Sequence, residues 1–262
     1  MRQQPHWNWM LVGSWAILLA GVWPAPIRAQ QSMEVKEKPP MYLYIAEWEV
    51  PRNQWKDIES ETSKNRALMQ KFLEEGNIVG YGSDVALIHQ DGDSTHDTWW
   101  ASMSIANLMR VLEANKTSGS ADAPVFAASK HHDDLWECRY YNWRSGSFTN
   151  GYTRVASWKL KADAPSDAID QMARNFYVPL LEQLLADGSI YEYEISEENI
   201  HTGDPSIFFV LLIANGPEGI DKWNAAMADA LKRSPFASSM FGSWVDYSAH
   251  RDGLDLTTAT FK

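Results

Sequence analysis

The chain has 262 residues, of which 34 are acidic and 23 basic, for a formal charge of −11 at pH 7. An acidic chain whose basic residues are scattered repels nucleic acid and anionic membrane surfaces, so neither is expected as a partner. Cys138 is the single cysteine, so no intrachain disulfide can form and stability must come from a buried core.

The first residues read MRQQPHWNWMLVGSWAILLAGVWPAPIRAQQ. Arg2 precedes an apolar run from Trp9 to Val22, too short for a comfortable membrane span. Pro24, Pro26 and Ala29 follow, which predicts a secretory signal peptide over 1–29, cleaved near Ala29. No cysteine follows the run and no Arg-Arg pair precedes it, which predicts a soluble secreted or periplasmic protein, free of the membrane after cleavage. Residues 30–40 read as a flexible leader.

The region 41–150 reads as one unit. Met41 to Val50 alternates and is rich in Tyr, Ile and Trp, which predicts a strand. Arg52 to Glu75 has helical spacing and Gly76 stops it. Asn77 to His89 is a second strand, Gln90 to Asp97 a turn, Thr98 to Ile105 a third strand and Ala106 to Ala114 a short helix. A loose stretch leads to a fourth strand, Leu135 to Trp143. The region 151–262 repeats the order: strand at Val155 to Leu160, Pro165 at the first position of a helix reaching Asp187, strand at Ser189 to Ile195, strand at Ile207 to Ala214, helix at Pro217 to Lys232 and a last strand at Ser243 to His250. Landmarks recur at similar offsets: Trp48 with Trp158, Gly76 with Gly188, Trp136 with Trp244, and Arg144-Ser145-Gly146 with Arg251-Asp252-Gly253. Constant order with drifting offset is the mark of a duplication.

Each unit is thus β-α-β-β-α-β, the ferredoxin-like module. Its sheet carries helices on one face and needs a cover on the other. The doubled order resembles the dimeric α+β barrel superfamily, which implies an α+β fold in which two ferredoxin-like repeats pack face to face around a central cavity. The resemblance also implies that a haem-binding relative of the chlorite-dismutase kind would place a proximal histidine on a helix. None of the expected helices contains one, so no cofactor is expected.

The expected strands are unusually aromatic, which suits either a solid core or a pocket for a planar ligand. Trp48, Trp158 and Trp143 are candidate ligand contacts. Arg144 and Arg251, at expected strand ends, are candidate anchors for an anionic group, and His250 is a candidate acid or base. Glu47, Glu49, Glu192 and Glu194 face in or out according to a register that alternation leaves open. HQDGDSTHD, His89 to Asp97, matches no calcium loop, and no metal site is expected. No nucleophile elbow, zincin motif, phosphate loop or C-x-x-C occurs. Asn115-Lys116-Thr117 is a glycosylation sequon, relevant only in a eukaryotic secretory route. The function expected first is binding of a small apolar or aromatic molecule between the sheets, with enzymatic turnover left open. The alternative is a non-catalytic interaction or scaffold protein. A homodimer is compatible with either.

Overall fold

The computed structural model describes residues 38–89, 92–119 and 122–262. The expected signal peptide and most of the expected leader lie outside the described residues. No helix among the described residues is long and apolar enough to cross a membrane.

Alternating, β-branched and aromatic stretches form β1 (Met41–Glu49), β2 (Gly80–Ile88), β3 (His96–Ser102) and β4 (Lys130–Trp143). Between them lie α1 (Trp55–Glu74), α2 (Ile105–Thr117) and the short α3 (Pro124–Ala128). The second half has β5 (Gly146–Leu160), β6 (Ile190–Glu198), β7 (Ile207–Ala214) and β8 (Val245–Phe261). Its helices are α4 (Ala168–Met172), α5 (Val178–Ala186), α6 (Pro217–Arg233) and α7 (Pro235–Trp244), with a π-turn at Ala173–Tyr177 joining α4 to α5. α1 and α5 end alike. Gly76 and Gly188 have φ of +75° and +80°, which L side chains rarely adopt. Each turns the chain so that the next amide caps the helix, Asn77 on Phe72 and Ser189 on Leu184.

The eight strands close into one barrel in the order β1-β3-β2-β8-β5-β7-β6-β4, and every pairing is antiparallel. Strands β4-β1-β3-β2 are contiguous, as are β8-β5-β7-β6, so the seams between halves are β2–β8 and β4–β6. Helices cover the outside. Tyr44, Trp100 and Leu135 pack under α1 and α2, while Phe208, Val210 and Leu212 pack under α5, α6 and α7. Residues of opposite parity point into the lumen, among them Leu43, Trp99 and Ile213.

Four expectations change. β8 does not stop at His250 but runs on to Phe261, and Trp244 ends a helix rather than lying in a strand. Pro165 lies three residues before α4, its carbonyl accepting from the Ala168 amide. β4 begins at Lys130, so the histidines and aspartates before Leu135 are strand residues, not loop. Arg144 follows the end of β4, whereas Arg251 lies inside β8 opposite Ser157, so the two arginines do not occupy matching strand ends.

Gly82 faces the lumen beneath Trp99. A Cβ there would overlap the indole and come 2.8 Å from the Thr258 carbonyl oxygen. Gly82→Ala is expected to cost about 1–3 kcal/mol through overpacking. A urea melt with an unchanged midpoint would contradict that close fit.

Candidate functional site

The lumen encloses a cavity of ≈ 590 Å³. One end is closed by rings. Trp143 stacks on Tyr141 and Phe261 at 5.7 and 6.0 Å, Trp99 lies 5.6 Å from Phe261, and Phe148 stacks on Tyr191 at 3.9 Å. Leu43, Ile45, Trp136, Leu211 and Ile213 supply apolar wall, with Trp136 stacked on Phe209 at 4.0 Å. The other end carries Glu47, His132 and Arg251, together with Asp93 from the β2–β3 loop.

The rest of the wall is acidic. Register places Glu47 opposite Asp97, and Asp97 opposite Asp84. Asp84 accepts from Trp99 Nε1 at 2.9 Å and from the Thr153 hydroxyl at 3.5 Å, and Thr153 in turn bonds Thr257. Burial pushes the Asp84 carboxyl up despite these donors. Asp97 is driven further, first by burial and then by the Asp84 and Asp255 carboxylates. Burial, with Asp84 and Glu47 nearby, raises Asp255 to about 7. On the far wall, β6 points Glu192 and Glu194 inward, 3% and 2% exposed. Burial raises Glu194 to about 7, although Cys138 Sγ donates to its Oε2 at 3.0 Å. Glu192 is pushed well up by burial and then by its neighbour Glu194. Glu192 Oε2, Glu194 Oε1 and Asp97 Oδ1 are buried without a hydrogen-bond partner. Such groups are rare in folded proteins and each calls for a cause.

The mouth behaves differently. Burial disfavours the Glu47 anion, but hydrogen bonds from His132 and Ser94 outweigh it and hold the carboxyl below its usual range. His132 Nε2 lies 3.1 Å from Glu47, and that bond raises the imidazole. Burial and then Glu47 raise Asp134 to about 6. Ligating atoms of Glu47, His132 and Asp134 lie within 4.8 Å of one another, a set that no sequence motif announced. Its ion pair already satisfies two of the three members. Cys138 is fully buried, and burial with Glu194 beside it pushes its thiol far up. It is therefore a poor nucleophile.

The six residues singled out from sequence do not form one site: Trp158 and His250 meet, and the others lie apart from them. Arg251 does line the cavity mouth, where its Nη1 donates to the His250 carbonyl at 2.8 Å. His250 is its strand neighbour and faces the other way. It stacks on Trp158 at 3.6 Å and bonds the Ser157 carbonyl and Asp252 at 2.9 and 3.0 Å. With Tyr177 and Trp223, these two rings line a separate cavity of ≈ 190 Å³ beneath α6. Trp48 is also on the outer face, against Phe126 at 5.1 Å and His131 at 5.0 Å. Trp143 belongs to the ring cluster at the closed end, its Nε1 donating to the Lys262 carbonyl at 2.9 Å. Arg144 is exposed beside Gly188. Sequence reasoning weighed Glu47, Glu192 and Glu194 without fixing their face, and missed Asp84 and Asp255 altogether.

Haem does not fit these residues. Among the described residues no helix carries a histidine, and the lumen wall presents unpartnered carboxyl oxygens where a macrocycle needs apolar contact.

No protein-family model matches the chain, and no curated protein matches it. Among solved structures it is similar to a proposed monooxygenase from Fusobacterium nucleatum subsp. nucleatum, at 6% identity and a TM-score of 0.63, over 85% of this chain and 94% of that one. It is also similar to a proposed chlorite dismutase at 11% identity and a TM-score of 0.50, over 84% of this chain and 96% of that one. At such identities the likeness speaks to fold and not to activity. The chain therefore shares with these structures the fold of a closed, helix-covered α+β barrel.

Proposed function

We propose that the lumen is the functional centre, and that it binds one small molecule with an apolar or aromatic body and moves a proton on it. The observation that carries this reading is a void of ≈ 590 Å³ whose wall combines rings and aliphatic chains with eight carboxyl side chains. Asp255 and Glu194, both held near 7, suit acid–base work at neutral pH, where a group must both take and give a proton. A scaffold with a solid interior would not account for the void.

The wider reading is a duplicated chain that is exported and soluble, able to form homodimers. Duplication is supported by strand order, which places β1 and β5 at equivalent points of the two halves. It is supported again by a matched trio. Trp48 of β1 lies between Phe126 of α3 and His131 of β4. Trp158 of β5 lies between Phe241 of α7 and His250 of β8. Export rests on the apolar segment near the N-terminus and is checked by mass spectrometry, which should find a mature chain beginning near Gln30.

Emission from Trp99 and Trp136 reports on the lumen. Titration with small aromatic compounds is expected to quench it with saturation. Val155→Trp, which puts an indole into the cavity, should abolish the response while leaving the circular dichroism spectrum intact. Saturable quenching that survives Val155→Trp would move the site elsewhere, and no quenching by any compound at millimolar concentration would defeat the reading.

A further inference from the structure

We infer that the lumen takes its ligand as a protonated organic amine, an inference that rests on the reading of the lumen as a ligand site. The wall decides the sign. Asp84, Asp97, Glu192, Glu194 and Asp255 line the cavity, whereas its basic residues, His89, His132 and Arg251, stand at the mouth. His132 is paired with Glu47, Arg251 donates Nη1 to the Ser248 and His250 carbonyls, and His89 is exposed against the edge of Trp55. An anion inside would meet carboxyls with no cation to hold it, so the anionic substrate suggested by the arginines is disfavoured.

Hydrogen-bond accounting points the same way. Glu192 and Glu194 are almost wholly buried, line the cavity, and each leaves one carboxyl oxygen unpartnered. A buried acceptor left unmade costs free energy that a ligand N–H can recover, and a charged N–H recovers more. Two nearby donors are spent, Trp99 Nε1 on Asp84 and Cys138 Sγ on Glu194. An ammonium supplies up to three donors and the matching charge.

The occupant has an organic body rather than being a bare metal ion. Among the described residues, the set of three ligating groups within 4.8 Å is at the mouth, Glu47, His132 and Asp134. The deeper carboxyls form no such set, and Glu192 and Glu194 lie beside Ile213 and Leu211 of β7 in a cavity that Leu43, Ile45 and Trp136 also line. Apolar wall beside unpaired acceptors matches a molecule with a ring or branched chain at one end and an amine at the other. Trp136 Nε1, buried without a partner, offers one donor to an acceptor on that body.

Calorimetric titration of the full-length protein at pH 7.5 with three matched probes tests this: 2-phenylethylamine, 2-phenylethanol and 3-phenylpropanoate. The amine should bind at least tenfold more tightly than the alcohol, and the carboxylate should not bind. Glu192→Gln and Glu194→Gln keep the shape and remove the charge. Each should weaken the amine tenfold or more and leave the alcohol unchanged. If the alcohol or the carboxylate binds as tightly as the amine, the lumen remains a ligand site and the amine inference falls. If the amine binds and both glutamine variants bind it equally well, the inference also falls. If no probe binds at millimolar concentration, the lumen reading falls with it.

Discussion

Raising the pH from 5.5 to 8.5 is expected to lower the melting temperature of the ligand-free protein by about 10 °C, and Glu192→Gln/Glu194→Gln should remove roughly half of that loss. The sign follows from the lumen. Unfolded, its carboxyls titrate near 4. Folded, burial holds Glu194 and Asp255 near 7 and Asp134 near 6, with Asp84, Asp97 and Glu192 also raised. Between the two values the folded state binds more protons than the unfolded one, so stability falls as pH rises. Each such group contributes at most ~1.4 kcal/mol per pH unit. A few kcal/mol in a domain of this size is worth about 10 °C. His132, raised by Glu47, acts in the same direction. His96 opposes, since burial lowers it to about 4. Its neutral form therefore gains stability as pH climbs toward 6.5, but it is one group against several. Glutamine at 192 and 194 mimics the protonated acid at every pH and leaves the aspartates to titrate. Thermal melts of both proteins at pH 5.5, 7 and 8.5 decide the matter, and a wild-type melting temperature that is flat or rising would refute the buried-acid account.

The second large effect lies in two adjacent phenylalanines of β7. Phe208 is fully buried under the outer helices. Phe208→Ala leaves a void that a packed layer cannot refill and should cost ~3–5 kcal/mol. Phe209, one residue on, faces the lumen and stacks on Trp136. Phe209→Ala merely enlarges a cavity that already exists, so it should cost at most about half as much. Urea midpoints for the two variants measure this directly. Equal costs would mean that the lumen is as tightly packed as the helix layer.

That same strand shows what could be read in advance. Ile207–Ala214 is apolar throughout because both its faces are covered, and its span was legible without the structure. The order of the strands and longer helices was legible for a similar reason, since each strand has its aromatic or β-branched run, whereas the short α3 and α7 were not expected. β8 was not. Asp252-Gly253 carries the usual signal of a turn, yet Gly253 pairs with Val155 in mid-strand. A strand with Arg251 and Asp255 facing inward looks like surface, because alternation assumes that the inner side is oily. The acidic site was hidden by the same assumption. Asp97 looked like part of a loop, Asp255 lay beyond the expected last strand, and the pair at 192 and 194 needed a register that only cross-strand pairing supplies. Trp48 and Trp158 were expected to face the cavity, but parity turns both rings outward.

Closure of the barrel has a mechanical consequence. Each strand has a hydrogen-bonded neighbour on both sides, so among the described residues there is no bare edge from which the sheet can fray or to which a stranger's strand can be added. Backbone amides in all eight strands should thus resist exchange with solvent to a similar degree. Opening any one of them means parting a ladder on each side, so the cylinder should yield as a single unit rather than peel from one end.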